Sequence, residues 1–355
     1  MDAKKRVRAT INCDNPDRLV FSVPGPRWVD PNDERPVVAQ LRSLLARCPG
    51  DMAACFAYPP PLGWEPPEDL PVWGLDGNFS DGIDEWGAKW KGVYLTHHPL
   101  EDWAGADSYR FPDPLAPGRL RVAEDLVSRH GRRYLLWFFG YSLFERLWIL
   151  RGFENLLTDP YIHEKEFLKL RDRVTEFNLE LIESFLVLPF DGVMVGDDLG
   201  SQTSLFMDPE MWRKYYKVGY EKMFDLIHSK GRDVWMHADG NIMSILPDLI
   251  EIGLDVTNPV QPSAMDVDVL SARFKGRVAF FGGIDVQQTF QHGTPDEVSR
   301  EIEDLLGKLG GPEGGFIPSP TNAILPDIPL ENFVAALQVL LEHAGISAED
   351  DESNG

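Results

Sequence analysis

From Phe190 onward, short apolar runs alternate with longer stretches of helical periodicity, and turn and cap residues stand between them. Gly192-Val193-Met194-Val195 is apolar throughout, as a strand buried on both faces requires. Asp208-Pro209-Glu210 then supplies an N-cap, a proline at the first helical position and an acid in the first turn of a helix expected to stop at Gly231. Asp233-Val234-Trp235-Met236 predicts the next strand. Asn241 caps a helix with Ile242, Ile245, Leu246, Leu249 and Ile250 on one face, ended by Gly253. Leu254 to Thr257, Val278 to Phe281 and Gly315 to Ile317 predict three more strands. Between the last two, Thr294-Pro295-Asp296-Glu297 has the spacing of a capping box and leads Val298, Ile302, Leu305, Leu306 and Leu309, while Pro329 opens a last helix closed by Gly345.

Five fully apolar strands, each followed by a helix, require a parallel sheet covered on both sides. Upstream, Tyr134 to Phe139 predicts a sixth strand, and Glu164 to Leu186 a long amphipathic helix. Two shorter candidates, Met52 to Phe56 and Pro71 to Trp73, bring the count to eight. No Gly-x-Gly-x-x-Gly turn follows any strand, which removes the main reason to expect an open dinucleotide-binding sheet. The expected fold is therefore a (β/α)8 TIM barrel over residues 1–346 with an extended N-terminal loop-rich segment, the Pro-, Gly- and Trp-rich stretch from Pro59 to Pro117. Its tryptophans Trp73, Trp86, Trp90 and Trp103 are expected to pack loops and a lid, and His97-His98 to form a solvated loop. Residues 347–355, with Glu349, Asp350, Asp351 and Glu352, have nothing to bury and are expected to form a disordered acidic tail.

Charge narrows the partners. The 355 residues include 34 Lys+Arg and 57 Asp+Glu, a net charge of −23, which argues against nucleic acid and against an anionic membrane surface. The three cysteines, Cys13, Cys48 and Cys55, form no Cys-x-x-Cys pair, so neither a disulfide framework nor a zinc ribbon is expected. No apolar stretch follows Met1-Asp2-Ala3-Lys4-Lys5-Arg6, and the longest apolar segment, Leu135 to Leu150, is interrupted by Glu145 and Arg146 and is too short to span a bilayer. The expectation is a soluble, cytoplasmic protein acting on a small molecule.

In a (β/α)8 barrel, chemistry is built from residues just past the C-terminal ends of the strands. That rule selects Tyr141 and Ser142, with Arg151 further on; Asp197, Asp198 and Gln202; His237 and Asp239; and Asn258 and Gln261. It also selects Gly282, Gly283, Asp285, Gln287 and Gln288, then Ser319, Thr321 and Asn322. Asp197-Asp198 also suits a turn or a helix cap, and a lone histidine is often a packed, hydrogen-bonded residue. His237 and Asp239, however, stand two apart at a strand end, where side chains point the same way, and imidazole with carboxylate suits a divalent metal or an acid/base pair.

Several segments in order resemble the uroporphyrinogen decarboxylase superfamily. They are Pro16-Asp17-Arg18, Asp84-Glu85-Trp86-Gly87, Leu150-Arg151-Gly152-Phe153-Glu154, Gly196-Asp197-Asp198-Leu199-Gly200-Ser201-Gln202, His237-Ala238-Asp239-Gly240-Asn241, Asp255 to Pro262 and Gly282-Gly283-Ile284-Asp285. The resemblance implies a (β/α)8 barrel and one of two chemistries, porphyrinogen decarboxylation or methyl transfer from a corrinoid protein to a thiol. The decarboxylases carry a Met-Arg-Gln-Ala-Gly-Arg motif that nothing between Met1 and Arg47 matches. The thiol methyltransferases hold zinc through a His-x-Cys pair and a later cysteine. Here the pair is His237-x-Asp239 and the late position falls near Ser319 to Asn322, without cysteine. The resemblance thus places the chain in a divergent branch near the cobalamin-dependent methyltransferases, with a harder, less thiophilic site for zinc or another divalent metal.

The leading expectation is a methyltransferase-like enzyme of one-carbon transfer, acting with a corrinoid protein that carries methylcobalamin. His237 and Asp239 would be metal ligands, Asp198, His237, Asp239 and Asp285 the catalytic set, and Tyr141, Arg151, Gln202, Asn258, Gln261 and Asn322 the substrate contacts. The alternatives are a porphyrinogen-type decarboxylase of tetrapyrrole biosynthesis, with arginines such as Arg110 or Arg151 holding substrate carboxylates, and a non-catalytic barrel that binds a small ligand or a corrinoid partner.

Overall fold

The computed structural model describes residues 1–56, apart from Pro24, Arg27 and Pro31, and residues 81–346. Seven parallel strands form one sheet: β1 (Met52–Phe56), β5 (Tyr134–Phe139), β6 (Gly192–Gly196), β7 (Asp233–His237), β8 (Val256–Val260), β9 (Ala279–Ile284) and β10 (Phe316–Pro320), paired in that order. Between β1 and β5, a small antiparallel sheet is built from β2 (Gly82–Ile83), β3 (Lys89–Lys91) and β4 (Tyr94–His97).

The seven-stranded sheet is curled. Met52, Tyr134, Leu136, Met194, Trp235, Val256, Ala279, Phe281 and Ile317, drawn from all seven strands, meet in one apolar cluster on its concave side. Leu135, Trp137 and Phe139, the alternate residues of β5, face the opposite way into the larger cluster with the helices. Both faces are thus apolar, which is why the strands read as unbroken hydrophobic runs. Helix Ala3–Ile11 plugs the end where the strands begin, placing Val7 and Ile11 in the inner cluster. Ion pairs from Lys4 and Arg8 to Asp191 and from Arg6 and Arg18 to Asp51 hold that end.

Several sequence expectations are corrected. Eight strands were expected and seven are described; the eighth candidate, Pro71–Trp73, and Trp73 itself lie outside the described residues, as does the tail 347–355. β8, β9 and β10 each run three residues further than their apolar runs, because Asn258-Pro259-Val260, Gly282-Gly283-Ile284 and Pro318-Ser319-Pro320 stay extended and paired, β9 with β10 in continuous register and β8 with β9 across a register shift between Thr257 and Val260. The helix expected from Pro209 to Gly231 is two, Pro209–Tyr215 and Lys217–Ser229, and the one expected from Asn241 begins at Leu246 after a turn that Asn241 caps. The stretch Pro59–Pro117 holds β2, β3 and β4 rather than loop alone. Asp84 organises that sheet's first turn by accepting from the Trp86 and Ala88 amides (3.0 and 2.9 Å) and from Trp90 Nε1 (3.1 Å). His98 is not solvated loop, since its Nδ1 lies 2.9 Å from the Ile149 carbonyl oxygen. The capping box at Thr294 and Glu297 is formed.

Candidate active site

The C-terminal ends of β6 and β7 lie side by side, with Gly196 opposite His237 in the register. His237 is the last residue of β7, and Asp198 and Asp239 follow their strands by two residues each. Gly240, at φ +85°, lets these two loops touch, because a Cβ there would run into the carbonyl oxygens of Gly200 and Ser201. The contact is sealed by the Asp239 amide, which donates to Asp198 Oδ1 at 2.9 Å. His237 Nε2 then lies 3.9 Å from Asp198 Oδ1 and 3.8 Å from Asp239 Oδ1, and one potential ligand atom from each of the three residues falls within 4.8 Å of the others.

Asn258 fixes the state of the imidazole. Its Nδ2 donates to the Phe281 carbonyl (3.2 Å), so its Oδ1 is the atom that meets His237 Nδ1, at 2.6 Å. An amide oxygen only accepts, and Nδ1 must therefore carry a hydrogen. In the neutral ring this leaves the Nε2 lone pair facing two carboxylates, a group that suits either a bound cation or a proton on Nε2. The edge of Phe138 against the His237 ring (centroids 5.6 Å apart) holds the imidazole plane. On the far side, Asn322 Nδ2 donates to Asp239 Oδ2 at 2.7 Å. Burial, and Asp198 beside it, push the Asp239 carboxyl above the ordinary aspartate range, while His237 and Asn322 pull the other way.

The remaining expected site residues separate into groups. Gln261 supports the Asp239 loop from below, accepting from the Gly240 amide (3.1 Å) and donating to Gln287 (3.3 Å). Gln202 is exposed on the loop after β6, and Asp285 is buried and caps its own turn by accepting from the Gln287 amide (2.8 Å). Neither joins the His237 group. Tyr141, at φ +53° on the turn after β5, packs its ring against Trp90, and its burial, with Glu145 and Asp198 nearby, opposes its ionisation. Arg151 is placed elsewhere. Its guanidinium forms a buried two-pronged pair with Asp159 (2.8 and 3.0 Å), donates to the Leu100 and Glu101 carbonyls and stacks on Trp103, so it is committed to holding helices together.

The adjacent acids Asp197 and Asp198 have opposite fates. Asp197 is fully buried, and its carboxylate accepts from Ser142 Oγ, the Leu143, Phe144 and Glu145 amides and Tyr220 Oη at 2.6 to 2.9 Å. It caps helix Phe144–Arg151; burial pushes its carboxyl up and the donors hold it down. Glu145, the second residue of that helix, was not among the expected site residues. Burial, then Asp198 and Asp197 nearby, push its carboxyl well above the usual glutamate range, and the Asp198 amide donates to it. Its position just past a strand end, where an acid breaks an apolar run, was the available signal.

Comparison with known proteins identifies the family. Residues 89–343, more than half of the chain, match the family described as uroporphyrinogen decarboxylase (URO-D). The chain belongs to that family. Among solved structures, this URO-D family chain is similar to a methyltransferase from Methanosarcina mazei, with a TM-score of 0.66 at 17% identity, covering 96% of this chain and 99% of that one. A sugar phosphate isomerase/epimerase from Parabacteroides distasonis superposes with a TM-score of only 0.35 at 10% identity, covering 87% of this chain and 88% of that one. No curated protein matches the chain significantly. Among the described residues of this family member, no helix is long and apolar enough to cross a membrane.

Proposed function

We propose that this URO-D family chain is a methyltransferase-like enzyme that moves a one-carbon group between a small molecule and a corrinoid carried by a partner protein. Asp198, His237 and Asp239 would hold a divalent cation at the mouth of the curled sheet. The observation that carries the reading is the His237 Nε2 lone pair turned toward two carboxylates while Asn258 occupies Nδ1. One imidazole nitrogen and two carboxylate oxygens fit zinc, manganese or iron better than a thiophilic zinc site built on cysteine. Bound there, the cation would act as a Lewis acid on the oxygen, nitrogen or sulfur that gives or receives the methyl group. The protein's own part is to hold that atom beside His237, with Asn322 and Gln261 fixing the Asp239 loop. The decarboxylase alternative loses a proposed carboxylate anchor, since Arg151 is spent on Asp159.

Metal titration by calorimetry tests the reading. Zinc and manganese should bind the wild type at one site, and Asp239→Asn, which removes the charge and keeps the shape, should weaken both. Asp239→Cys should shift the preference toward zinc, because a thiolate is the softer donor. Identical curves for all three proteins would remove metal from the mechanism.

A further inference from the structure

A pocket of about 300 Å³ opens between the loops that follow β9 and β10, lined by Val286, Gln287, Gln291, Asn322, Leu325 and Asp327 among others. It is wired to the candidate site at two points. Asn322 is both a wall of the pocket and the residue bonded to Asp239 (2.7 Å), and Gln287 reaches the Asp239 loop through Gln261 and the Gly240 amide.

The charge of the pocket is lopsided. Asn322 uses one Nδ2 hydrogen on Asp239 and its Oδ1 on the Ala323 amide. Gln291 uses one Nε2 hydrogen on Asp327, and its other N–H and its oxygen are what it offers a ligand. Asp327 adds a carboxylate, and Gln287, whose oxygen takes Gln261, offers its N–H pair. Neutral donors and acceptors are both present, Asp327 is the one charged group of the described lining, and among the described residues no Lys, Arg or His lines the pocket. An anionic ligand would bring a like charge to a wall without a counter-cation, whereas a neutral or cationic one would find its hydrogen-bonding partners. Val286, Leu325 and Ile328 give the opposite side an alkyl-sized apolar surface.

We infer that this pocket is the substrate subsite and that it favours a small neutral or cationic molecule over an acid. The inference rests on the methyltransferase reading for which end of the ligand approaches His237, and not for the ligand's charge.

Three near-isosteric methyl ethers test it: 2-methoxyethanol, 2-methoxyethylamine and methoxyacetate, with binding to the full-length protein followed by ligand-observed NMR. The neutral and cationic ethers should bind, and methoxyacetate at least about tenfold more weakly, the effect of one like charge across a partly screened pocket. Asp327→Asn should narrow that gap. Methoxyacetate binding as well as the neutral ether overturns the inference, as does the absence of binding by all three. An unchanged ranking and affinity in a Gln287→Leu/Asp327→Asn double variant also overturns it, by placing the ligand elsewhere. Metal titration of the same samples separates the two claims. A preserved ranking without metal binding rejects the methyltransferase reading alone, and metal binding with a reversed ranking rejects the subsite alone.

Discussion

At the scale of single residues, the state of His237 is set by Asn258, which turns a histidine of ambiguous tautomer into one with a defined donor at Nδ1 and a lone pair at Nε2. Asn258→Ala should therefore lower the affinity for zinc or manganese by about 10–100-fold, the range seen when an outer partner of a metal-ligating histidine is lost. Asn258→Asp, which keeps an acceptor against Nδ1, should recover most of that loss. Calorimetric titration reads the affinity and a thermal melt confirms that both variants are folded; unchanged affinity in Asn258→Ala would show that the tautomer is not what prepares the site. The pairing of His237 with Asp239 was legible in the sequence because period two at a strand end puts both on one side. The division between Asp197 and Asp198 was not. Neighbouring residues past a strand point opposite ways, and two identical letters do not show which one turns inward to Ser142 and Tyr220.

At the scale of elements, β5 and β1 stood where their apolar runs predicted, and the capping box of helix Pro295–Leu309 formed as its spacing required. Strand ends were read short wherever proline, glycine or asparagine continued a pairing that the hydrophobic pattern does not record, as at Asn258 and Gly282. Helix Ala3–Ile11 was missed because its apolar face is brief and is interleaved with Lys4, Lys5, Arg6 and Arg8, and Asp51 and Asp191, which pair with Lys4, Arg6 and Arg8, lie far along the chain. The turn from β5 into helix Phe144–Arg151 depends on a residue some fifty positions away, Asp197. Asp197→Ala leaves five buried or half-buried donors without their acceptor and should cost about 3–5 kcal/mol in urea unfolding. Asp197→Asn keeps one acceptor oxygen and should cost less. A loss below about 1 kcal/mol for Asp197→Ala would mean that the turn is held by packing, and that the carboxylate is free for another role.

At the scale of the whole molecule, the excess of 57 acidic over 34 basic residues acts on folding and on ligand capture with opposite signs. A net charge of −23 repels itself in the compact state, while the same field draws cations toward the carboxylates at the mouth of the sheet. Salt separates the two effects. Between about 0.01 M and 0.15 M ionic strength the Debye length falls from about 30 Å to about 8 Å, which screens repulsion across the molecule but leaves contacts such as Arg151–Asp159 almost untouched. The melting temperature should therefore rise over this range while the association rate of manganese with the Asp198, His237 and Asp239 group falls. Scanning calorimetry and stopped-flow mixing in a sodium chloride series read the two quantities independently. A melting temperature that falls with salt would mean that exposed pairs such as Lys217–Glu251 and Arg213–Glu210 outweigh the net repulsion. A manganese association rate indifferent to salt would mean that the acidic field does not reach the mouth, and the preference for neutral or cationic ligands would then have to come from the local carboxylate of Asp327 alone.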